Sequence, residues 1–155
     1  MAFFDDFANG ISGYPAASVT LSIGSLVVQA PGTAGSVNVN EVWAFKITVT
    51  NNGNLNMKNV TLHYSGMNNV TVAAAPGGPF TSGILTTAAI ATVPAHGSAS
   101  TVNYYFKAPA GASVGVVDVL DVHLNAWDAD LLYLQNNLSG HANPPDAKLA
   151  RQVFP

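Results

Sequence analysis

Hydrophobic and polar side chains alternate at every second position through several segments of the chain. The clearest segment is 42–50, where the apolar positions are Trp43, Phe45, Ile47 and Val49. Because successive side chains of a β-strand point to opposite faces, this period of two predicts half-buried strands. The same alternation recurs in segments 19–29, 60–72, 102–107 and 114–124.

Turn-forming residues separate these segments. Glycine, proline and asparagine cluster at 51–54, 76–79, 94–97 and 109–111. Glycine allows positive φ, proline fixes the entry of a turn, and asparagine tolerates the left-handed region. About seven short strands spaced by such turns predict an all-β fold, an antiparallel β-sandwich.

The motifs of this region carry a family resemblance. The strings "ITVTNNGN", "KNVTL", "VPAHGSAS" and "TVNYYFKAPAGAS" occur in that order between residues 47 and 113. Taken together, this part of the chain resembles the immunoglobulin-like repeat modules of bacterial and archaeal surface proteins, the conserved-repeat and CARDB-like domains. The resemblance covers roughly residues 37–126 and implies an immunoglobulin-like sandwich used as a spacer, adhesive or assembly unit. We expect the sandwich domain to comprise residues 16–126. It also implies an extracellular or cell-surface location.

The amino-terminal segment, residues 1–15, is predicted to be an apolar arm. Phe3, Phe7 and Ile11 are spaced four residues apart and Phe4 adjoins them, so a short helix here would have one apolar face. Two alternatives follow for that face. It caps the open end of its own sandwich, or it docks on a neighbouring subunit.

The carboxy-terminal segment, residues 127–155, is predicted to be a short helix followed by an extended tail. Helical spacing joins Trp127, Leu131, Leu134 and Leu138. Asp128 is placed to cap the start of this helix and Gly140 its end. The remaining residues, 141–155, contain consecutive prolines and no periodicity, which favours an extended tail.

Composition and charge narrow the classes of partner. Charged residues make up 8% of the chain, against about 25% in ordinary soluble proteins, and the net charge is −3. The sequence therefore offers neither a basic stripe for nucleic acid nor a polybasic patch for a membrane surface. The first six residues, MAFFDD, are acidic where a secretory signal is basic, and no apolar run is long enough to span a bilayer. We expect no signal peptide in this chain, no nucleic-acid partner and no membrane insertion.

Catalytic chemistry is not indicated. The four histidines, His63, His96, His123 and His141, lie on separate segments, and Glu41 is the one glutamate. Neither a nucleophile elbow nor a pair of catalytic glutamates occurs, and the chain has no cysteine. We therefore predict no catalytic residue, no enzyme activity and no cofactor.

The string "DVLDVHLNAWDAD" contains the weak candidates for a metal site. They are Asp121, His123, Asp128 and Asp130. On a strand, Asp121 and His123 share one face. Since neither a calcium-binding loop nor a closely spaced histidine pair is present, we expect no bound metal, with Ca²⁺ as the alternative.

Two functions compete at this point. The first is a non-catalytic structural subunit that self-associates through its arm into a homo-oligomer, filament or shell. The alternative is a carbohydrate-binding or adhesive module. In that case the candidate ligand-binding residues are Tyr105, an outward aromatic, and Asn52 and Asn54 in the first turn.

Overall fold

The computed structural model describes residues 19–29, 36–129, 135–137 and 146–155. Regular structure in these ranges consists of strands, so the predicted all-β class is confirmed. These ranges also contain no helix long and apolar enough to cross a membrane. The predicted arm, with Phe3, Phe4, Phe7 and Ile11, lies outside the described residues.

Twelve strands are present in the described ranges, where about seven were predicted. Several are short, with two to four residues. In chain order the strands are β1 (Val19–Val28), β2 (Val37–Asn38), β3 (Val42–Asn51), β4 (Met57–Gly66), β5 (Thr71–Ala73), β6 (Leu85–Thr86), β7 (Ile90–Val93), β8 (Gly97–Ser100), β9 (Tyr104–Lys107), β10 (Gly115–Ala129), β11 (Gln135–Asn137) and β12 (Asp146–Phe154).

The strands form two sheets. The five-stranded sheet has the order β1-β3-β9-β5, and β8 pairs with β3. The seven-stranded sheet has the order β2-β12-β10-β4-β6, with β11 pairing β10 and β7 pairing β4. All the strand pairs are antiparallel except β2 with β12.

A single apolar core lies between the two sheets. Phe45 of β3 has no exposed surface, and its ring meets that of Tyr64 from the opposite sheet at a centroid distance of 5.9 Å in an edge-on geometry. Tyr64 in turn approaches Tyr104 at 4.8 Å. The core forms where the two sheets turn their apolar sides toward each other, as the alternation of apolar and polar positions predicted for each strand.

Asparagine and glycine make the sharp turns and bulges possible. Four of the six non-glycine residues with positive φ in the described ranges are asparagines: Asn40, Asn59, Asn68 and Asn69. Asparagine tolerates this region better than other L residues, which explains its abundance here. At Gly66, a Cβ atom would lie 1.8 Å from the carbonyl oxygen of Val70, so the β4–β5 turn requires glycine.

The predicted carboxy-terminal helix is wrong. Residues 127–129 complete β10, and residues 135–137 form β11, which pairs with β10 at Ala126, Trp127 and Asp128. Trp127 is 2% exposed and belongs to the core. Pairing with β4 on one side and β11 on the other satisfies the backbone hydrogen-bonding groups that a helix would have satisfied internally. Residues 130–134 and 138–140 lie outside the described residues.

Asp128 does not cap a helix. Its Oδ2 accepts a hydrogen bond from Asn59 Nδ2 at 3.0 Å, across the pairing of β10 with β4. The segment predicted as a tail contains β12, which lies in the sheet between β10 and β2. The boundary predicted at residue 126 therefore lies within one continuous strand, β10.

Candidate functional site

Asp121 and His123 project from the outer face of the seven-stranded sheet. Their neighbours Val122 and Leu124 are buried in the core, so the alternation of β10 turns the polar pair outward. Asp121 Oδ2 lies 2.9 Å from His123 Nε2. The side chain of Asp121 is 19% exposed and that of His123 is 40% exposed, so both are partly shielded from water.

Strand β12 brings a second carboxylate to this pair. The antiparallel register places Asp146 directly opposite His123, and Lys148 opposite Asp121. One potential ligand atom from each of Asp121, His123 and Asp146 lies within 4.8 Å of the other two. We call these three residues the β10 cluster. Asp146 lies 23 positions beyond His123 in the sequence, and the sheet order makes them neighbours.

A pocket of about 240 Å³ borders the β10 cluster on the side of β4. His63 of β4 lies directly opposite His123, and Ser65 lies opposite Asp121. The pocket is lined by His63, Ser65, Ile84, Asp121, His123, Leu124 and Asn125. Two imidazoles and a carboxylate therefore line the same pocket on the outer face of the seven-stranded sheet.

One oxygen of the β10 cluster is buried without a hydrogen bond. Asp121 Oδ2 contacts His123, whereas Asp121 Oδ1 has essentially no accessible surface and no hydrogen-bond partner in the described part of the chain. Lys148 is exposed and makes no ion pair with Asp121 in those ranges. Buried carboxylate oxygens are ordinarily hydrogen-bonded or paired with a positive charge. A cation or a hydrogen-bond donor beside Asp121 would therefore stabilise this carboxylate.

The other weak metal candidates do not join the cluster. Asp128 lies five positions beyond His123 on β10 and is bonded to Asn59. Asp130 lies outside the described residues. The structure thus brings together two of the predicted residues, Asp121 and His123, and adds Asp146.

The candidate sugar-binding residues lie in two separate places. Tyr105 is half-buried on β9, between Ala44 of β3 and Ala73 of β5. Asn52 and Asn54 are exposed in the turn after β3. Asn52 lies about eight residues beyond Ala44, which corresponds to about 25 Å along an extended strand. Asn54 Oδ1 also pairs with His96 Nε2 at 2.6 Å. A single small ligand cannot contact both places.

A second, apolar pocket opens at one side of the sandwich. It has a volume of about 400 Å³ and is lined by Leu26, Val27, Val28, Val37, Trp43, Phe106 and Arg151. We call it the edge pocket. Val28, Trp43 and Phe106 are consecutive cross-strand partners on β1, β3 and β9, whereas Val37 and Arg151 come from the opposite sheet. The edge pocket therefore lies between the two sheets.

Trp43 forms part of the wall of the edge pocket. Its ring stacks on that of Phe106 with a centroid distance of 6.4 Å and an interplanar angle of 12°. Trp43 is 6% exposed, and its Nε1 has no hydrogen-bond partner in the described part of the chain. Because Nε1 itself has essentially no accessible surface, the part of Trp43 that faces the pocket is apolar.

Sequence reasoning missed Asp146 and the edge pocket. Asp146 was assigned to a tail because "HANPPDAKLARQVFP" contains consecutive prolines, yet the apolar residues Ala147, Leu149 and Val153 are separated by even numbers of positions, with Lys148 and Gln152 between them. That period of two was the available signal for β12. The edge pocket had no local signal, because its residues come from β1, β2, β3, β9 and β12.

No protein-family model and no curated protein matches the sequence. Solved structures with a similar fold include a putative late embryogenesis abundant protein (12% identity, TM-score 0.44, covering 97% of this chain and 77% of that one). Another is the sporulation control protein Spo0M from Bacillus subtilis (11% identity, TM-score 0.42, covering 89% of this chain and 50% of that one). A third is the PapD-like domain 7 of human CEP192 (12% identity, TM-score 0.38, covering 94% of this chain and 91% of that one). At these scores the likeness assigns neither a family nor a function to this chain.

Proposed function

We propose that this protein is a non-catalytic structural subunit, built on an immunoglobulin-like β-sandwich, that self-associates through its amino-terminal arm. The observation that carries the proposal is the edge of β1, which ends at the edge pocket. The product of association is a homo-oligomer, filament or shell. An extracellular or cell-surface location follows from the resemblance to surface repeat modules and is part of the same proposal.

The edge of β1 is suited to association. Strand β1 pairs with β3 along one side, and no other strand of the described ranges pairs with it. Its ten residues, VTLSIGSLVV, include no charged residue and no proline. Edge strands of monomeric proteins are usually protected by lysine, proline or a bulge, and here a bulge between Gly24 and Val27 is the one such feature. Val27 at that bulge is 57% exposed.

The edge pocket offers a receiving site for an apolar arm. Its volume of about 400 Å³ lies within the usual range of about 300 to 1,000 Å³ for ligand pockets. A peptide with phenylalanine side chains matches the apolar walls of the pocket. Phe3, Phe4, Phe7 and Ile11 provide the apolar side chains.

The occupant that we propose is the arm of a second copy. The described chain begins at Val19, at the opposite end of β1 from Val28, about 30 Å away. To fill its own edge pocket, the arm would have to reverse direction before Val19 and run back along the whole of β1. An arm from a neighbouring subunit that binds in the edge pocket would also cover the open edge of β1.

Two separate variants test the proposal: deletion of residues 2–11, which removes the arm, and a substitution at the rim of the edge pocket. Val27→Lys places a charge at the rim, where the exposed valine tolerates it, and Val102→Lys is the matched control at a valine that is 66% exposed outside the edge pocket. We expect the deletion and Val27→Lys to lower the mass measured by light scattering to that of a monomer. Val102→Lys should leave it unchanged.

The outcome against the proposal is equally definite. If the truncated protein keeps the mass of the full chain and melts at a lower temperature, the arm caps its own sandwich and self-association through it is refuted. A monomeric full-length chain that is retained by a glycan array would favour the carbohydrate-binding alternative. That alternative has less support because Tyr105 lies about 25 Å from Asn52.

A further inference from the structure

We propose that the β10 cluster is a binding site for a divalent first-row transition ion such as Zn²⁺, with Asp121, His123 and Asp146 as ligands. This site lies on the outer face of the seven-stranded sheet, whereas the edge pocket lies between the sheets, so it is independent of the proposed self-association. The inference rests on the spacing of the ligand atoms, the mixture of donor types and the buried oxygen of Asp121.

The spacing is close to what a small cation requires. In a tetrahedral zinc site with bonds of about 2.0 Å, neighbouring ligand atoms lie roughly 3.3 Å apart. The three candidate atoms lie within 4.8 Å of one another, and Asp121 Oδ2 lies 2.9 Å from His123 Nε2.

The backbone holds the three residues in place. Asp121 and His123 are two positions apart on β10, and Asp146 is fixed opposite His123 by the β10–β12 pairing. Ligands on paired central strands keep their relative positions better than ligands on loops. The sheet therefore fixes the backbone of the three ligands before a metal ion binds, which lowers the entropic cost of ordering them.

The donor set selects the ion. One imidazole and two carboxylates suit zinc and its neighbours, which accept nitrogen and oxygen together. Calcium takes six to eight oxygen ligands, more than these side chains supply. Three protein ligands leave a fourth position of the tetrahedron open, and the pocket lined by His63, Ser65 and Asn125 borders the cluster.

Electrostatics also favours a cation. Two carboxylates meet here with one exposed lysine, Lys148, opposite Asp121. Asp121 Oδ1 is shielded from water and has no hydrogen-bond partner in the described part of the chain. A cation bound through Asp121 Oδ2 would compensate the negative charge of this partly buried carboxylate.

Metal titration of the full chain tests the site. We expect Zn²⁺ to bind at one ion per chain by isothermal titration calorimetry, and Co²⁺ to give the visible absorption of a tetrahedral ion. His123→Ala and Asp146→Asn should each weaken zinc binding at least tenfold. His96→Ala is the matched control, because His96 is exposed and pairs with Asn54 in a different part of the molecule.

The result that would overturn the proposal is zinc binding of equal strength in the wild type, His123→Ala and Asp146→Asn, or no binding by the wild type at micromolar zinc. Asp146 is exposed, so Asp146→Asn keeps the test decisive even if His123→Ala folds poorly. Titrating Val27→Lys separates the two proposals, since it should bind zinc normally whether or not it self-associates.

Discussion

The edge pocket and the β10 cluster both result from the alternation of side chains along the strands, which places apolar residues on the inner face of a sheet and polar residues on its outer face. The edge pocket is lined largely by inward, apolar side chains that also belong to the core, such as Trp43, Phe106 and Val37. The β10 cluster consists of outward polar side chains whose neighbours in the chain are buried. Substitutions in the edge pocket should therefore affect the stability of the fold, whereas substitutions in the β10 cluster should have little effect on the core.

The two regions also differ in what they lack. The edge pocket lacks an apolar side chain to fill it, whereas the β10 cluster lacks a hydrogen-bond partner for Asp121 Oδ1 in the described part of the chain. A peptide arm meets the first need and a metal ion meets the second. The predictions that follow are ordered from the largest expected effect on the free energy of unfolding to the smallest.

Trp43→Ala should have the largest effect. It removes a buried ring stacked on Phe106 and enlarges the edge pocket toward the core, so we expect a loss of about 3 to 5 kcal/mol in the free energy of unfolding. Urea denaturation measures it. Trp43→Phe keeps an aromatic ring, removes the unpartnered N–H and should lose less than about 1.5 kcal/mol. A loss below about 1 kcal/mol for the alanine variant would show that the pocket is separate from the core.

Asn51→Ala should have the next largest effect, since Asn51 is a buried polar group that is fully bonded, unlike Asp121. Its Nδ2 donates to the carbonyl of Leu55 at 2.7 Å, and its Oδ1 accepts from the amide of Gly53 at 2.9 Å. Removing it leaves buried backbone groups unpaired, which costs about 1 to 3 kcal/mol. Asn52→Ala, at the adjacent exposed position, should stay within about 0.5 kcal/mol in the same urea titration. Equal losses for the two variants would contradict this account.

Tyr64→Phe compares a buried hydroxyl of the core with the buried oxygen of the β10 cluster. Burial, and to a smaller extent the Tyr104 hydroxyl, raises the pKa of Tyr64 above its ordinary value near 10. The folded state therefore keeps a proton that the unfolded chain releases, so the stability present below about pH 10 is lost as the pH rises further.

The measurement is the free energy of unfolding of wild type and Tyr64→Phe at neutral pH and at about pH 11. At neutral pH the two should agree within about 1 kcal/mol, because the Tyr64 hydroxyl has no partner in the described ranges. At the alkaline pH the wild type should have lost more stability than the variant. Parallel pH curves would remove Tyr64 as the cause of the alkaline loss.

His123→Ala should have the smallest effect on stability in the absence of metal. The imidazole is 40% exposed, and pairs of this kind at the surface are worth about 0 to 1 kcal/mol. We expect its thermal melting curve to overlap nearly with that of the wild type when both are measured with a chelator present. A large destabilisation without metal would mean that the β10 cluster is part of the structural framework rather than a binding site.

Local patterns accounted for much of the fold. The alternation at 42–50 predicted β3 correctly, because the facing of strand side chains depends on positions two residues apart. The turn at 51–54 was predicted correctly for a similar reason, since Asn51 and Gly53 are bonded to each other within it. Asp121 and His123 were placed on one face by the same argument.

Other features depend on contacts between distant residues. The helical spacing of Trp127, Leu131, Leu134 and Leu138 gave a wrong prediction at Trp127, because the pairing of β10 with β4 and β11 places that residue in a strand. Leu131, Leu134 and Leu138 lie outside the described residues. Strand pairing was likewise needed to bring Asp146 beside His123 and to separate Tyr105 from Asn52.

By itself, then, the sequence determined the strands with clear alternation, such as β1, β3 and β4, together with their apolar faces and the turn after β3, because these properties arise from neighbours within a few residues. Only the tertiary structure decided the sheet order, the length of β10 and the two concavities. Hydrogen-bond pairing and burial between segments far apart in the chain set those features. The edge pocket and the β10 cluster exist because β12 pairs with β10 and β2, a choice made by the packing of the whole sandwich.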